Sequence, residues 1–235
     1  MFKVTIIVPI YLSNSTLFSM TKRCFDDLNH KTVSVQKEII VINDASPKTK
    51  LTQLLQSKFF PDFIWLHNTS NLGFAQSINR GIDKATSDYI LLLNNDVIIQ
   101  DSKWLFNMVT NMINNNLDIT SPEFGWLDKD WHYIPKAERH KHDESKVFKY
   151  PVGWCLLVKR EVFEKQKMPE CFFKGYFEDV FWWWKIREHF KAGITQVGIK
   201  HLEHITFKQA GYNLREEYEK KRKIFLSAMG EKNEY

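Results

Sequence analysis

From Asp88 to Asp96 the chain reads Asp-Tyr-Ile-Leu-Leu-Leu-Asn-Asn-Asp, an apolar run that demands burial and then breaks into two amides and a carboxylate. A run this short, ending in polar groups and followed by Val97-Ile98-Ile99, predicts an interior strand that carries Asp96 to the edge of a sheet. In open α/β sheets, ligands gather at that edge. A lone carboxylate there is useful only if other strand ends bring further polar groups to meet it.

Several segments have the same design. Val4–Val8 reads as a buried first strand closed by Pro9, with a helix from about Ser15 to Asn29. Glu38–Asn43 is a second strand that ends in Asn43-Asp44-Ala45-Ser46, and Pro47 is expected to open a new helix. Phe63–His67 is a weaker third strand, followed by Asn71-Leu72-Gly73-Phe74-Ala75 and a helical segment to about Ala85. Strand and helix alternating at this spacing predict parallel pairing with right-handed crossovers.

Beyond Asp96 the pattern loosens. Trp104–Asn115 reads as a helix and Leu117–Ser121 as a strand. Asp128–Tyr150 is polar, charged and aperiodic, the mark of a long loop. Trp154–Val158 resumes strand character, Arg160–Gln166 and Val180–Phe190 look helical, and Gly193–Gly198 is a candidate last strand. Leu214–Met229 reads as an amphipathic, basic helix ending at Gly230. The expected organisation is one unit: residues 1–97 as one half, 98–206 as the other, and 207–235 as a helical extension.

Composition excludes some classes. With 43% hydrophobic and 26% charged residues, the 235-residue chain has the make-up of an ordinary globular protein. No stretch approaches the roughly 20 apolar residues of a membrane span, and Met1–Pro9 runs into a strand without signal-peptide architecture, so a cytoplasmic location is expected. Cys24, Cys155 and Cys171 have no paired spacing and read as small core residues. The net charge of +5 carries no basic stripe interleaved with aromatics, which argues against a nucleic-acid partner.

At this point the residues resemble a known family. Val8-Pro9-Ile10-Tyr11, Val41-Ile42-Asn43-Asp44-Ala45-Ser46, Asn71-Leu72-Gly73-Phe74-Ala75 with Asn79-Arg80-Gly81, and Asp88–Asp96 are similar to successive signatures of inverting family 2 glycosyltransferases. Gly153-Trp154-Cys155-Leu156-Leu157-Val158 and Gly175-Tyr176-Phe177-Glu178-Asp179 continue the resemblance in the same order, over roughly residues 3–206. It implies a GT-A fold: a Rossmann-like, mostly parallel central sheet flanked by helices, with a smaller acceptor-binding half and a C-terminal helix. The implied donor is a nucleotide-diphosphate sugar carrying UDP, dTDP or GDP, and the implied acceptor is a glycan or lipid-linked hydroxyl, as in polysaccharide biosynthesis. The motif from Asn71 to Gly81, with Ile78 where many relatives have Arg, looks more like the rhamnosyltransferase branch.

The resemblance also distributes roles. Pro9, Tyr11 and Asp44 would hold the nucleoside, with Asn71, Gly73 and Asn79 on the donor side. Asn94-Asn95-Asp96 stands where the family has Asp-x-Asp, whose last carboxylate binds Mn2+ or Mg2+. Asn94 brings an amide oxygen but no charge, so Asp96 needs another metal ligand. His201 or His204 would supply it, His201 being preferred for its spacing to Thr206, and imidazole with carboxylate and phosphate oxygens suits Mn2+. Gly153 and Trp154 would face the donor sugar, although Trp154 also reads as core.

Glu178-Asp179 implies the chemistry. Inverting transfer needs a base for the acceptor hydroxyl, and a carboxyl among apolar groups has its pKa raised toward that task. By resemblance Asp179 is the base and Glu178 meets the acceptor, with Tyr176, Trp182 and Lys185 as further acceptor contacts. The pair also suits a helix N-terminus, where carboxylates are favourable. Phe181 replaces an Asp that the family usually carries two positions after the base, which points to an acceptor site built on stacking. Asn94 and Phe181 together leave a second reading open, a sugar- or nucleotide-binding module without turnover. The basic C-terminal helix suggests peripheral contact with an anionic membrane, or simple packing on the domain.

Overall fold

The computed structural model describes residues 2–172, 176–202 and 213–230. Four alternating units open the chain: β1 (Lys3–Ile10), α1 (Ser15–His30), β2 (Gln36–Asn43), α2 (Thr49–Leu54), β3 (Ile64–His67), α3 (Phe74–Lys84) and β4 (Tyr89–Leu93). After β5 (Val97–Ile99) come α4 (Trp104–Asn114), β6 (Ile119–Ser121), β7 (Phe124–Leu127), β8 (Phe148–Pro151), β9 (Cys155–Lys159), α5 (Arg160–Lys165) and α6 (Glu178–Ile186). The chain then forms β10 (Ala192–Ile194), β11 (Ile199–His201) and α7 (Leu214–Gly230).

The central sheet has the order β10-β6-β9-β4-β1-β2-β3 and takes strands from both halves of the sequence. Its β1, β2, β3 and β4 ladders are parallel, whereas β9 runs antiparallel between β4 and β6. Strand alternation splits the core in two. Val4, Ile6 and Val8 join Leu17 and Phe25 of α1 and Trp104 and Met108 of α4 on one face, while Ile7, Ile40 and Ile42 meet Ile78 and Ile82 of α3 on the other. Gly81 lets α3 lie close on β1, since a Cβ there would fall 2.5 Å from Ile7 Cγ2.

A third cluster, away from the parallel strands, gathers Leu127, Tyr150, Phe172, Phe177, Val180, Phe181 and Phe225. It joins the β7–β8 ribbon, α6 and α7. The apolar stripe of α7 is therefore turned into the domain, with Phe225 fully buried.

Some sequence expectations need correction. Pro9 does not close β1, which runs to Ile10; Pro9 lies beyond Ile7, the last residue paired with β4, so that neighbour asks no ladder bond of it. Asp128–Tyr150 is not an unstructured loop, because its end pairs back as β8 on β7 and its middle forms short 3-10 turns. The stretch read as one strand, Gly193–Gly198, resolves into β10 and, beyond it, β11. Cys24 and Cys155 are core residues, but Cys171 is exposed.

Candidate active site

The parallel strands β1, β2 and β4 end side by side, and the polar residues that follow them form one network. Asp44 is buried just past β2, where Oδ1 accepts from Asn68 Nδ2 and the Leu72 backbone N–H, both at 2.7 Å, and Oδ2 accepts from Gly73 N–H at 2.9 Å. Its carboxylate thus fixes the loop from Asn68 to Gly73, and three of its roughly four acceptor positions are taken within the protein. Gly73 makes this approach with φ of 82°. Beside it, Asn71 Oδ1 is buried with no hydrogen-bond partner, an acceptor waiting for a donor group. Ser46 Oγ accepts from Leu12 N–H at 2.8 Å, tying the ends of β1 and β2 together where Pro9 and Tyr11 lie half-buried.

At the end of β4, Asn94 N–H donates to Trp154 O, continuing the ladder into the start of β9. Asn95 turns inward and donates to Thr21 Oγ1 of α1 at 2.7 Å, so it anchors the strand end from within. Asp96 is buried beside His201, whose Nε2 lies 3.0 Å from Asp96 Oδ1 and 3.3 Å from Asn94 Nδ2. They meet because β11 pairs antiparallel with β5, setting His201 against Val97, and Leu202 N–H closes the register on Asp96 O. The His201 ring stacks on Trp154 with centroids 5.0 Å apart and planes 5° apart. His204, the other expected ligand, lies outside the described residues.

One carboxylate and one imidazole meet here at hydrogen-bond distance, and both are ligand types that a divalent cation takes, whereas Asn94 turns its amide nitrogen, which cannot ligate a metal, toward the ring. Among the described residues no larger group of acids, histidines and cysteines is available to hold a metal.

Gly153 links this centre to a second one. Its N–H donates to Asp179 Oδ2 at 2.8 Å, and Val180 N–H donates to Asp179 Oδ1 at 2.9 Å, so both carboxylate oxygens are oriented. A Cβ at Gly153 would stand 3.1 Å from Oδ2, which is why no side chain fits there without pushing Asp179. The helix α6 begins at Glu178 rather than Val180, placing both acids in its first turn. Burial pushes the carboxyls of Glu178 and Asp179 upward, and for Glu178 the neighbouring Asp179 charge adds to the rise. The two N–H bonds to Asp179 and the Lys221 charge near Glu178 act the other way without cancelling it. Glu178 Oε2 is buried and has no partner.

The turn that presents these acids is strained: Tyr176 and Phe177 both have left-handed backbones, with φ of 66° and 67°. Packing holds it, through Phe177 against Tyr218 and Phe225 at 5.0 and 5.3 Å between centroids and Tyr176 edge-on to Tyr218.

Two expected contacts sit elsewhere. Trp182 is fully buried, stacked on Phe163 with its Nε1 donating to Gln166 O, so it is core rather than an acceptor surface; Trp183 and Trp184 are the half-buried members of the triplet. Asn79 is also spoken for, bonding Met168 N–H and O and Glu170 Oε1 instead of facing the strand ends. Lys185 is half-buried with its Nζ 5.2 Å above the Phe181 ring. Sequence reasoning missed Asn68, Thr21 and Lys221. Lys221 had a signal, a cation three residues after Tyr218 and four before Phe225 on an otherwise apolar stripe.

Comparisons with known proteins bear on the family and the fold. Residues 5–184 match the model for Glycosyl transferase family 2. A 70-residue stretch is 37% identical to the poly-beta-1,6-N-acetyl-D-glucosamine synthase of Staphylococcus aureus, covering 29% of this chain and 17% of that protein. The chain resembles a mannosyltransferase from Pyrobaculum calidifontis solved with GDP-Man and Mn2+, with a TM-score of 0.65 and 17% identity over 88% of this chain and 59% of that one. It also resembles GalNAc-T7 solved with UDP, GalNAc and Mn2+, with a TM-score of 0.66 and 14% identity over 85% of this chain and 44% of that one. The mixed sheet flanked by helices is the GT-A fold of these glycosyltransferases. The chain belongs to Glycosyl transferase family 2.

Proposed function

We propose that the chain is a metal-dependent, inverting glycosyltransferase that moves a hexose or deoxyhexose from a nucleotide-diphosphate donor to a hydroxyl of a glycan or lipid-linked acceptor. The observation that carries this reading is the continuity of the two centres: Asp96 bonds His201, whose ring stacks on Trp154, and the neighbouring Gly153 holds Asp179.

The donor would lie across the ends of β1, β2 and β4. Asn71 Oδ1, buried and unpartnered, would accept from a base N–H, while Asp44 acts mainly by shaping that loop. Asp96 and His201 would hold Mn2+ or Mg2+, which supplies Lewis-acid stabilisation of the leaving diphosphate when bound, and Asn94 would hydrogen-bond the donor beside them. Asp179, its carboxylate fixed by two N–H donors, would take the acceptor proton as the hydroxyl attacks the anomeric carbon and the nucleotide leaves from the opposite face. Tyr176, Glu178 and the half-buried Trp183 and Trp184 would face the acceptor. The sequence pattern around Asn71 favours a deoxyhexose of the rhamnosyl type.

A thermal-shift panel of UDP-, GDP- and dTDP-sugars with and without Mn2+ tests the reading; one donor should stabilise the protein, by about 2.7 kcal/mol at a hundred times its Kd. Stabilisation by none would overturn it. The uncharged Asn94 favours one alternative, a module that binds the donor without turning it over, and donor consumption in the presence of Mn2+ separates the two. No helix among the described residues is long and apolar enough to cross a membrane. Contact with an anionic membrane would rest on the exposed Arg215, Lys220 and Lys223 of α7 rather than on its buried stripe, so it would be lost in high salt.

A further inference from the structure

Lys221 is buried to 4% exposure, an expensive place for an ammonium group. Its position is tightly specified by neighbours on α7. Tyr218 accepts from Tyr133 N–H at 2.8 Å and donates to Trp131 O at 3.2 Å, Arg222 donates to Asp130 O, and Phe225 packs on Trp131, Phe177 and Phe181. Tyr218, Lys221 and Phe225 lie on one stripe of the helix, and the residues that Tyr218 and Phe225 cover flank Glu178 directly. Buried between Tyr218 and Phe225, which both pack on Phe177, Lys221 is set on the side of α7 that covers the turn leading into Glu178, whose Oε2 is buried and unpartnered.

We infer that Lys221 is a positioning residue for the carboxyl pair: delivered by the C-terminal helix, it lets Glu178 and Asp179 carry negative charge in an apolar pocket, so the site becomes competent only when that helix is docked. The inference rests on Glu178 and Asp179 being the catalytic pair. Two adjacent carboxyls without water or a cation resist double ionisation, and the positive field of Lys221 opposes that resistance. The other titratable groups around the pair, among the described residues, are Tyr150 on β8, Tyr176 in the turn, and Glu217 and Tyr218 on α7.

The test is kcat/KM against pH for the wild type, Lys221→Met and Lys221→Arg, together with carboxyl carbon NMR titration of Glu178 and Asp179. Removing the cation should raise the apparent midpoints of the pair. The acidic limb of Lys221→Met should therefore move up by about one pH unit, a roughly tenfold loss on that limb that closes at high pH, and Lys221→Arg should restore it. An equal loss at every pH with unmoved carboxyl midpoints would mean packing alone and would overturn the inference. If the wild type transfers no sugar, the glycosyltransferase reading fails, but the NMR midpoints still decide the role of Lys221. Should Lys221→Met not fold, the ammonium titration of Lys221 in Glu178→Gln carries the test: its midpoint should fall, and an unchanged midpoint overturns the inference.

Discussion

The two centres joined through Gly153 and Trp154 are built in opposite ways. At the donor side, the polar groups follow strand ends and mostly satisfy one another: Asp44 takes three bonds from the loop after β3, Asn95 is held by Thr21, and Asp96 faces His201. At the acceptor side, two acids sit on a left-handed turn inside an aromatic cluster, with Glu178 Oε2 left unpaired. A sheet edge supplies fixed dipoles and geometry cheaply, since the strands are needed for the core anyway. A base needs a raised pKa, which requires burial, and burial at the end of a short helix has to be completed by another element, here α7.

That contrast makes Asp179→Asn the sharpest test. The amide keeps the shape of the side chain and one of its two N–H bonds, from Gly153 or from Val180, but it cannot take a proton. Transfer should fall by about 100- to 10,000-fold with donor affinity kept, measured by product formation beside a donor thermal shift. Equal loss of both would mean that the two centres are not separable.

Next in size is Asp96→Ala, the matching change at the other pole. It removes the only carboxylate of the Asn94–Asp96 motif and leaves His201 on Trp154 without its anionic partner. The Mn2+-stimulated part of turnover should fall on the order of 100-fold. Asn94→Ala should only weaken donor binding, by about 1 kcal/mol, as the loss of a neutral hydrogen-bonding group does. Comparable losses from both changes would show that charge is not what distinguishes the positions.

The poles also differ in how legible they were. The ends of β1, β2 and β4 could be read from apolar runs that break into Asn and Asp, because strand burial and the parallel crossover are local patterns. The spacing to His201 was readable only by resemblance, and the reason it works, β11 pairing on β5, is a contact across about a hundred residues that no periodicity encodes. On the acceptor side, the order Glu178-Asp179 was visible, but the aromatic run around it was ambiguous. Which tryptophan is core is decided by what α6 packs on: Trp182 meets Phe163 and Gln166 of the segment before it, a contact that the run of three tryptophans does not encode. The β7–β8 ribbon escaped notice because it is closed by a long polar excursion rather than a short turn. Asn79 and Gly153 were placed by motif on the donor side, whereas their contacts run to Met168 and Asp179.

A smaller effect, in stability, separates the acceptor pole by its burial. The Glu178 carboxyl is raised in the folded state, mainly by desolvation and then by Asp179. A raised value means that the folded state holds this proton more tightly than the unfolded chain does. The stabilisation is therefore complete below the ordinary carboxyl range and is lost as pH rises through the folded value. Thermal melting of the wild type should fall between weakly acidic and alkaline pH, and Glu178→Gln should flatten that slope, at about 2–4 °C per kcal/mol for a chain of this size. An identical slope in the variant would place the ionised Glu178 in solvent.

The smallest change falls on the joint itself. In Gly153→Ala the N–H that holds Asp179 Oδ2 at 2.8 Å is kept, but the new methyl would stand 3.1 Å from that oxygen and 3.2 Å from Asp179 Cβ. Contacts this tight displace the carboxylate by a few tenths of an ångström, and overpacking on this scale costs about 1 kcal/mol, roughly fivefold in rate. If Gly153 serves the base, the loss should appear in kcat while the donor KM stays put. If the glycine instead makes room for the donor sugar, as its motif suggested, the donor KM should rise with kcat intact. One alanine therefore decides to which of the two centres the joint belongs, and it does so without removing any polar group from either.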